Sequence, residues 1–347
     1  MSIPGIQKAR IGAYIARQKL TGNGRFPLVL MLEPLFRCNL RCKGCGKITY
    51  PDEVLRRHLS VQECVRSVEE CGAPVVSIAG GEPLLHPDIH IIAHELTVRK
   101  RFVYLCTNAL LLEKMVADFE PSPYLTFNVH LDGLYESHDA RVSCKGAFDK
   151  AISAIRLLLS KGFRVTTNTT IFDGETAQGA ARLFDFISTL GVEGMTISPG
   201  FCYENASDQK HFLRRDGTKA LFRNLFLLRK GRNWKFNHST LYLDFLAGNQ
   251  DYTCLPWGNP TYNIFGWQRP CYLLNDGYAG TYRELMETTD WTRYGVGKEP
   301  RCANCMIHTG FEPTAVMDSF NNPLKALTVG LRGRFGSHVK DSENVLC

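Results

Sequence analysis

The chain has 347 residues, enough for two or three ordinary domains or for one large barrel. Hydrophobic residues make up 44% and charged residues 22%, which is the balance of a soluble globular protein and excludes a disordered chain or a bundle of membrane helices. Lysine and arginine exceed aspartate and glutamate by 41 to 34. This net charge of +7 is small and scattered, so we expect no nucleic-acid binding.

The unusual part of the composition is its 13 cysteines. The first residues lack the apolar stretch and cleavage site of a signal peptide, so we expect a reducing, cytoplasmic compartment. In such a compartment clustered cysteines bind metals or take part in catalysis more often than they form disulfides.

Both ends of the chain carry basic amphipathic segments. Residues 1–26 form the first, with an apolar stripe through Ile11, Tyr14 and Ile15, and a similar pattern runs from Leu324 to Leu331. A basic amphipathic helix can lie on an anionic bilayer, which predicts peripheral contact with the inner face of the membrane. The alternative, which we prefer on sequence alone, is that each stripe packs on the protein and the bases are solvated.

Residues 27–205 show a repeating pattern of strands and helices. Apolar, strand-like runs occur at 27–34, 73–80, 101–108, 124–133, 163–172 and 194–200. Helix-like segments separate them, one of which begins with a capping box formed by Ser60 and Glu63. This alternation predicts an α/β fold with a parallel sheet. Six units favour a partial (β/α)6 TIM-like barrel over a doubly wound sheet, and either fold places the active site at the carboxyl ends of the strands.

The pattern stops after residue 205. Residues 206–335 contain a helix-like segment followed by an aromatic region rich in glycine, proline and cysteine. We interpret them as a smaller C-terminal domain, with residues 336–347 as a tail.

Three cysteines follow the first predicted strand within the segment CNLRCKGC. Cys38, Cys42 and Cys45 can hold three corners of an iron–sulfur cube and leave the fourth iron without a protein ligand. A structural zinc ion needs four ligands, so a zinc site here would require a distant residue. The spacing therefore predicts a [4Fe-4S] cluster.

Polar residues or glycines follow the other predicted strands. After the second strand, Gly80 and Gly81 allow close approach of a backbone, and the carboxylate of Glu82, before Pro83, can accept an ammonium group. The candidate ligand-binding residues at the remaining strand ends are Asn108, Asp132, Asn168 and Ser198. Each of these four could equally be a helix cap or a turn residue.

Four more cysteines lie in the C-terminal domain. They form two pairs, Cys254 with Cys271 and Cys302 with Cys305, the second pair being a C-x2-C motif. Four thiolates complete the ligand set of one cluster or one zinc ion, so we expect one auxiliary site. A structural zinc ion or unliganded cysteines remain alternatives.

The C-x3-C-x2-C loop and the Gly-Gly-Glu-Pro turn resemble those of the radical S-adenosylmethionine (radical SAM) superfamily. The resemblance implies that Cys38, Cys42 and Cys45 bind the radical-generating cluster and that Gly80 to Pro83 contact the methionine amino group of S-adenosylmethionine. It also implies a reducing partner such as a flavodoxin or a ferredoxin. One departure is Gly44, since an aromatic residue that packs near adenine usually precedes the third cysteine. Adenine packing is therefore expected from elsewhere in the chain.

A narrower resemblance extends over residues 5 to 332. The segments LEPLFRCNL, FVYLCTNALLLEK, LDFLAGNQ and NIFGWQ are similar to those of the adenosylhopane synthase family of hopanoid lipid biosynthesis. That family adds the 5′-deoxyadenosyl radical through C5′ to the terminal alkene of diploptene. The resulting tertiary radical needs a hydrogen atom, and Cys106, at the end of the third predicted strand, is the candidate donor. Its alternative role is that of a buried core cysteine.

Two other functions are consistent with these motifs. The first is a radical SAM enzyme that abstracts hydrogen from a peptide or small molecule. The second is a non-catalytic zinc or iron–sulfur scaffold protein.

Overall fold

A computed structural model describes residues 3–201, 204, 206 and 209–335. The predicted tail, 336–347, lies outside the described residues. Within them a single nine-stranded sheet forms the centre of the molecule. Its strands are β1 (Val29–Glu33), β2 (Val75–Ile78), β3 (Phe102–Thr107), β4 (Leu125–His130), β5 (Arg164–Ile171), β6 (Gly194–Pro199), β7 (Thr261–Asn263), β8 (Gly266–Gln268) and β9 (Tyr278–Ala279).

Helices precede, separate and follow the strands along the chain. They are α1 (Gly5–Leu20), α2 (Asp52–Leu55), α3 (Val61–Cys71), α4 (Ile89–Val98), α5 (Leu112–Met115), α6 (Tyr135–Val142), α7 (Ala147–Ser160), α8 (Ala177–Thr189), α9 (Arg215–Leu227), α10 (Thr240–Leu246), α11 (Tyr282–Thr288), α12 (His308–Asn321) and α13 (Pro323–Phe335). The predicted capping box begins α3, because Ser60 Oγ accepts from the Glu63 amide at 3.2 Å and Glu63 Oε2 accepts from the Ser60 amide at 2.7 Å.

The first six strands run parallel in the order β6-β5-β4-β3-β2-β1. Each of the six predicted apolar runs contains one of them. Neighbouring strands follow each other along the chain, whereas a doubly wound sheet reverses its strand order near the middle. The predicted α/β partial barrel is therefore confirmed, together with a C-terminal region that contains cysteines.

The C-terminal region extends the same sheet, which the sequence pattern did not predict. Strand β7 pairs parallel with β1, with Met31 opposite Thr261, and β8 and β9 follow as antiparallel strands. These strands have only two or three residues each, too few to show a hydrophobic period. The sheet therefore continues past β1 into the C-terminal region.

Alternate residues of the parallel strands face different surroundings. On β3, Val103 and Leu105 belong to the main apolar core beneath the helices. The side chain of Cys106 points the other way and contacts Ser77 on β2 and Asn128 on β4. Since side chains alternate along a strand, this second face forms the inside of the partial barrel, and it carries polar groups.

Helix α1 packs on the rest of the protein through its apolar stripe. Ile15 is buried in a small cluster with Phe26 and Leu28, and Ile11 and Tyr14 pack against that cluster. The apolar stripe of α1 therefore packs on the protein, which is the alternative preferred from the sequence. In contrast, Leu324, Leu327 and Leu331 of α13 are exposed. Among the helices of the described residues, none combines the length and the apolar content needed to cross a membrane.

Candidate functional site

The loop after β1 brings the three N-terminal cysteines together. Burial raises the pKa of the Cys38 thiol to about 11, and the proximity of Cys45 adds to this shift. Burial likewise raises the pKa of Cys42, with further contributions from Cys45 and Cys38. Thiolates so close together and so poorly solvated need a cation, and a metal centre supplies one.

The predicted Gly-Gly turn lies directly against this loop. Gly80 has φ +109°, and a Cβ there would lie 2.3 Å from the carbonyl oxygen of Leu35. A Cβ on Gly81 would lie 2.1 Å from the carbonyl oxygen of Arg37. The amides of Gly81 and Glu82 donate to these same two carbonyls, at 3.0 and 2.9 Å. Only glycine allows this approach, so the turn fixes the cysteine loop over the sheet.

Glu82 connects that turn to the end of β3. Its buried carboxylate accepts hydrogen bonds from Thr107 Oγ1 at 2.7 Å and from the backbone amides of Asn108 and Leu84 at 2.8 and 3.0 Å. Burial raises the pKa of Glu82 to about 7, although these donors oppose the shift. A buried carboxyl that titrates near neutrality is suited to receive a cationic group. Pro83 begins a short 3₁₀ turn behind it.

The other predicted strand-end residues lie at the same edge of the sheet. Asn108 reaches the cysteine loop, since its Nδ2 donates to Asn39 Oδ1 at 2.8 Å and lies 3.9 Å from Cys38 Sγ. Asp132 binds His130 Nε2 at 2.9 Å and the amide of Thr170 at 2.7 Å. Burial alone would raise the pKa of Asp132, but His130 and this amide bring it below its usual range.

Asn168 and Ser198 complete the row of strand ends. Asn168 lies opposite His130 in the register of β4 and β5, and Ser198 lies opposite Thr170 in that of β5 and β6. Ser198 is buried, and its hydroxyl donates to the carbonyl of Pro199 at 3.3 Å. The structure thus joins Asn108 to the cysteine loop and Asp132 to His130, and leaves Asn168 and Ser198 further along the edge.

Cys106 belongs to a buried polar network that crosses four strands. Its Sγ lies 3.5 Å from Ser77 Oγ and 3.5 Å from Asn128 Nδ2. Asn128 Oδ1 in turn accepts from Thr166 Oγ1 at 3.0 Å, which directs the amide NH2 group towards the sulfur. Burial raises the pKa of Cys106, so the thiol form is favoured.

The four C-terminal cysteines also converge. They line one largely apolar opening with about 530 Å³ of empty space, part of it open to solvent. Burial raises the pKa of Cys254, and the other three thiols add to the shift. Gly310 makes room for them, because a Cβ there would lie 2.4 Å from Cys254 Sγ.

Single-metal geometry is absent from both cysteine sets as described. Within residues 3–201, 204, 206 and 209–335, no three His, Cys, Asp or Glu side chains converge tightly enough to ligate one ion. In an iron–sulfur cube each cysteine binds a different iron.

Several residues beside the cysteine loop were not predicted from the sequence. A Cβ on Gly44 would lie 3.0 Å from the ring of Phe212 and 3.6 Å from that of Phe172. The two rings lie 6.0 Å apart, and the Arg141 guanidinium lies 5.6 Å from the Phe172 ring. Phe172 ends a predicted strand run, but Phe212 comes from a distant loop without any pattern that would reveal its position.

A buried ion pair next to the same loop was also missed. Lys47 Nζ lies 2.8 Å from Glu33 Oε1 and 5.6 Å from the centre of the Tyr272 ring. The one sequence feature that could have indicated this pair is the carboxylate of Glu33 at the end of an apolar strand. The pair links β1 and the cysteine loop to the C-terminal region.

Comparison with known families divides the chain into two segments. Residues 32–187 match the radical SAM superfamily, and residues 195–329 match a domain of unknown function, DUF3463. Enzymes of that superfamily use a [4Fe-4S] cluster and S-adenosylmethionine. The first segment contains the end of β1, the cysteine loop, the Gly-Gly turn and β2 to β5.

Several curated proteins are similar to this chain. GTP 3′,8-cyclase 1 of Mycobacterium tuberculosis is 30% identical over 47% of this chain and 49% of its own length. AdoMet-dependent heme synthase of Methanosarcina barkeri is 29% identical over 48% of each chain. Pre-heme d1 synthase of Dinoroseobacter shibae is 26% identical over 80% of this chain and 72% of its own. The chain thus spans about half the length of the first of these relatives, and none of the three is an adenosylhopane synthase.

Solved structures share the fold. Native anSMEcpe with bound AdoMet aligns with a TM-score of 0.59 and 16% identity, over 88% of this chain and 100% of that one. Streptococcus suis SuiB aligns with a TM-score of 0.58 and 18% identity, over 75% and 63% of the two chains.

The raised pKa of Glu82 makes the stability of the cofactor-free chain depend on pH. The ordinary pKa of a glutamate is 4.5 and the pKa of Glu82 in the folded state is about 7. At pH values between these two, the folded state binds a proton that the unfolded state has lost. The stabilising contribution is complete below the ordinary pKa and is lost as the pH rises through the folded one. We expect the free energy of unfolding in urea to fall between about pH 5 and 8, and Glu82→Gln to flatten this fall. Exposed Glu120→Gln is the control, and equal slopes in all three proteins would contradict the assignment.

Proposed function

We propose that this chain, whose residues 32–187 belong to the radical SAM superfamily, is an enzyme that consumes S-adenosylmethionine at a [4Fe-4S] cluster. The observation that carries the proposal is the contact of the cysteine loop with the Gly80–Gly81 turn and, through Asn108, with the end of β3. When bound, the cluster and S-adenosylmethionine supply the one-electron chemistry that yields a 5′-deoxyadenosyl radical.

The chain's own residues bind and orient these groups. Cys38, Cys42 and Cys45 would ligate three irons. Glu82, as a carboxylate, would accept the ammonium group of the methionine moiety. Asn108, Asp132, Asn168 and Ser198 follow along the same edge and would contact the ribose and the carboxylate. The auxiliary cysteines would hold a second [4Fe-4S] cluster, with zinc as the alternative.

We further propose that the co-substrate is the terminal alkene of diploptene and the product adenosylhopane. The sequence segments quoted above support this proposal. An apolar cluster at the barrel mouth supports it as well, because it joins Met31, inside the barrel on β1, to residues of the C-terminal region. The other buried members of this cluster are Phe201, Tyr272, Leu273 and Ile307.

This cluster lies next to the Cys106 network, because Met31 is opposite Ser77 in the sheet and Ser77 contacts Cys106. A large hydrocarbon bound there would therefore contact the apolar cluster on one side and the polar Cys106 network on the other. In the proposed reaction C5′ bonds to the terminal alkene carbon, and the tertiary carbon radical takes a hydrogen atom from the Cys106 thiol. The sulfur is restored by one electron from a flavodoxin or ferredoxin and one proton.

A second candidate is a radical SAM enzyme that acts on a different substrate. The similarity to pre-heme d1 synthase over 80% of this chain favours this alternative. The polar barrel interior would accommodate a substrate with more hydrogen-bonding groups than a hopane.

Anaerobic incubation of the reconstituted protein with S-adenosylmethionine, a one-electron reductant and diploptene tests the proposed reaction. We expect mass spectrometry to show diploptene joined to the adenosyl group with one added hydrogen. Cys42→Ala is the control and should form no product, because its cluster lacks a ligand. Free 5′-deoxyadenosine without an adduct would favour the second candidate. A colourless protein with zinc and no labile sulfide would favour the scaffold.

The Cys106 network predicts a split between bond formation and reduction. Cys106→Ala should still join C5′ to the alkene but should impair hydrogen delivery or scramble the configuration at the new centre. Asn128→Leu removes the donor to the sulfur and should also lower stereochemical purity, because the thiol is less firmly oriented. Cys71→Ala, at the buried cysteine that ends α3, is the matched control. An unchanged product from Cys106→Ala excludes the donor role.

Phe212 is expected to supply the aromatic surface that Gly44 lacks. Stacking of a base on an aromatic ring contributes about 1–3 kcal/mol, so Phe212→Ala should weaken S-adenosylmethionine binding by about tenfold. Equilibrium dialysis with the reconstituted protein measures this affinity. Phe320→Ala, on an exposed ring of α12, is the control, and equal affinities for the two variants would remove Phe212 from the site.

A further inference from the structure

One corner of the molecule carries an exposed apolar surface. Five of the eleven exposed large apolar side chains of the described residues lie on the end of α1, the end of α12 and one face of α13. We call this surface the α1–α13 patch, and its members are Leu20, Phe320, Leu324, Leu327 and Leu331. Leu20, Leu324 and Leu327 are 88%, 77% and 60% exposed. Exposed apolar side chains that are grouped in this way mark an interaction site, whereas single ones are common on protein surfaces.

Contacts between the helices bring the end of α1 against the end of α12. Lys19 of α1 contacts Asn321 Oδ1, and its ammonium lies 5.1 Å from the centre of the Phe320 ring. Val316 and Met317 of α12 pack on the cluster that anchors α1. In α13, Leu324, Leu327 and Leu331 follow each other at helical spacing on one face.

The opposite face of α13 is already occupied. Thr240 of α10 donates its hydroxyl to the carbonyl of Ala326 at 3.2 Å, and its methyl group lies 3.4 Å from the position of a Cβ on Gly330. The helix is therefore fixed on the protein, with its leucines directed away from it.

Helices α1 and α13 carry only basic charges. Helix α1 contains four bases and no acid, and α13 contains three bases and no acid. Within the described residues, the bases of α1 form no ion pair with a carboxylate. The nearby acid, Asp318, is held by Lys325 Nζ at 2.6 Å, Tyr252 Oη at 2.7 Å and Asn322 Nδ2 at 2.8 Å.

We propose that the α1–α13 patch docks on an anionic lipid bilayer. The leucines and Phe320 would enter the boundary between headgroups and acyl chains, and Arg17 and Lys19 would contact lipid phosphates. A protein that bound this patch would need an apolar surface surrounded by acidic groups. A bilayer of anionic lipid offers both features along its whole area. The inference is independent of which substrate the radical site accepts.

Sedimentation of the full-length protein with vesicles tests the proposal. The probes are vesicles of phosphatidylcholine alone and of phosphatidylcholine with about a third phosphatidylglycerol. We expect binding to the anionic vesicles at low salt, and weaker binding at about 0.5 M salt because the charges are screened. Leu324→Gln/Leu327→Gln/Leu331→Gln should lower the fraction bound at least about tenfold, since glutamine keeps the helix but loses the apolar contact.

A matched triple variant controls for general loss of apolar surface. Ile91→Gln/Val98→Gln/Leu227→Gln changes three exposed apolar residues on other helices and should bind as the unmodified chain does. Absence of binding by the unmodified chain overturns the proposal, as does equal binding to both vesicle types. Light scattering that shows a dimer, converted to monomer by the α13 variant, would assign the patch to a second copy instead. Cleavage of S-adenosylmethionine should be the same in all three proteins, so failure here leaves the proposed reaction untouched.

Discussion

The site depends on the contact of two backbones at the carboxyl ends of β1 and β2. A side chain at Gly80 or Gly81 would force the turn away from the carbonyls of residues 35–37, because the nearest oxygens lie within 2.3 Å of the missing Cβ atoms. This contact sets the height of the cysteine loop above the sheet. It also places Glu82 where the end of β3 donates to it, and Asn108 reaches back from there to the cysteine loop. Three strand ends therefore support one another in a closed ring of contacts.

Because side chains alternate along a strand, one face of the sheet packs in the apolar core and the other lines the polar inside of the barrel. A slip of one residue in β3 would move Cys106 into the apolar core and Leu105 into the barrel. In the observed register Thr166, Asn128, Cys106 and Ser77 form one polar layer inside the barrel. The layer also holds a single thiol at its upper surface.

The sequence was sufficient to predict the six parallel strands, because each lies in a run of apolar and β-branched residues between turn residues. The cysteine loop and the Gly-Gly turn were equally accessible, since their chemistry is local. Strands β7 to β9 were not predictable, because two or three residues show no period and their pairing depends on β1. Phe212 was missed for a related reason, because its position beside Gly44 depends on a tertiary contact between segments distant in the chain. Amphipathic spacing also could not tell that α1 buries its stripe while α13 exposes its leucines.

The C-terminal region is coupled to the radical site through β1. Strand β7 pairs with β1 directly, and Lys47 lies between Glu33 of that strand and the ring of Tyr272. The two sets of cysteines are thus positioned by one sheet rather than by a linker. Met31, Tyr272 and Ile307 form the apolar surface between them. Cys271 and Cys305 pack against this apolar surface, so the region of the auxiliary cysteines contacts β1 directly and not through a flexible connection.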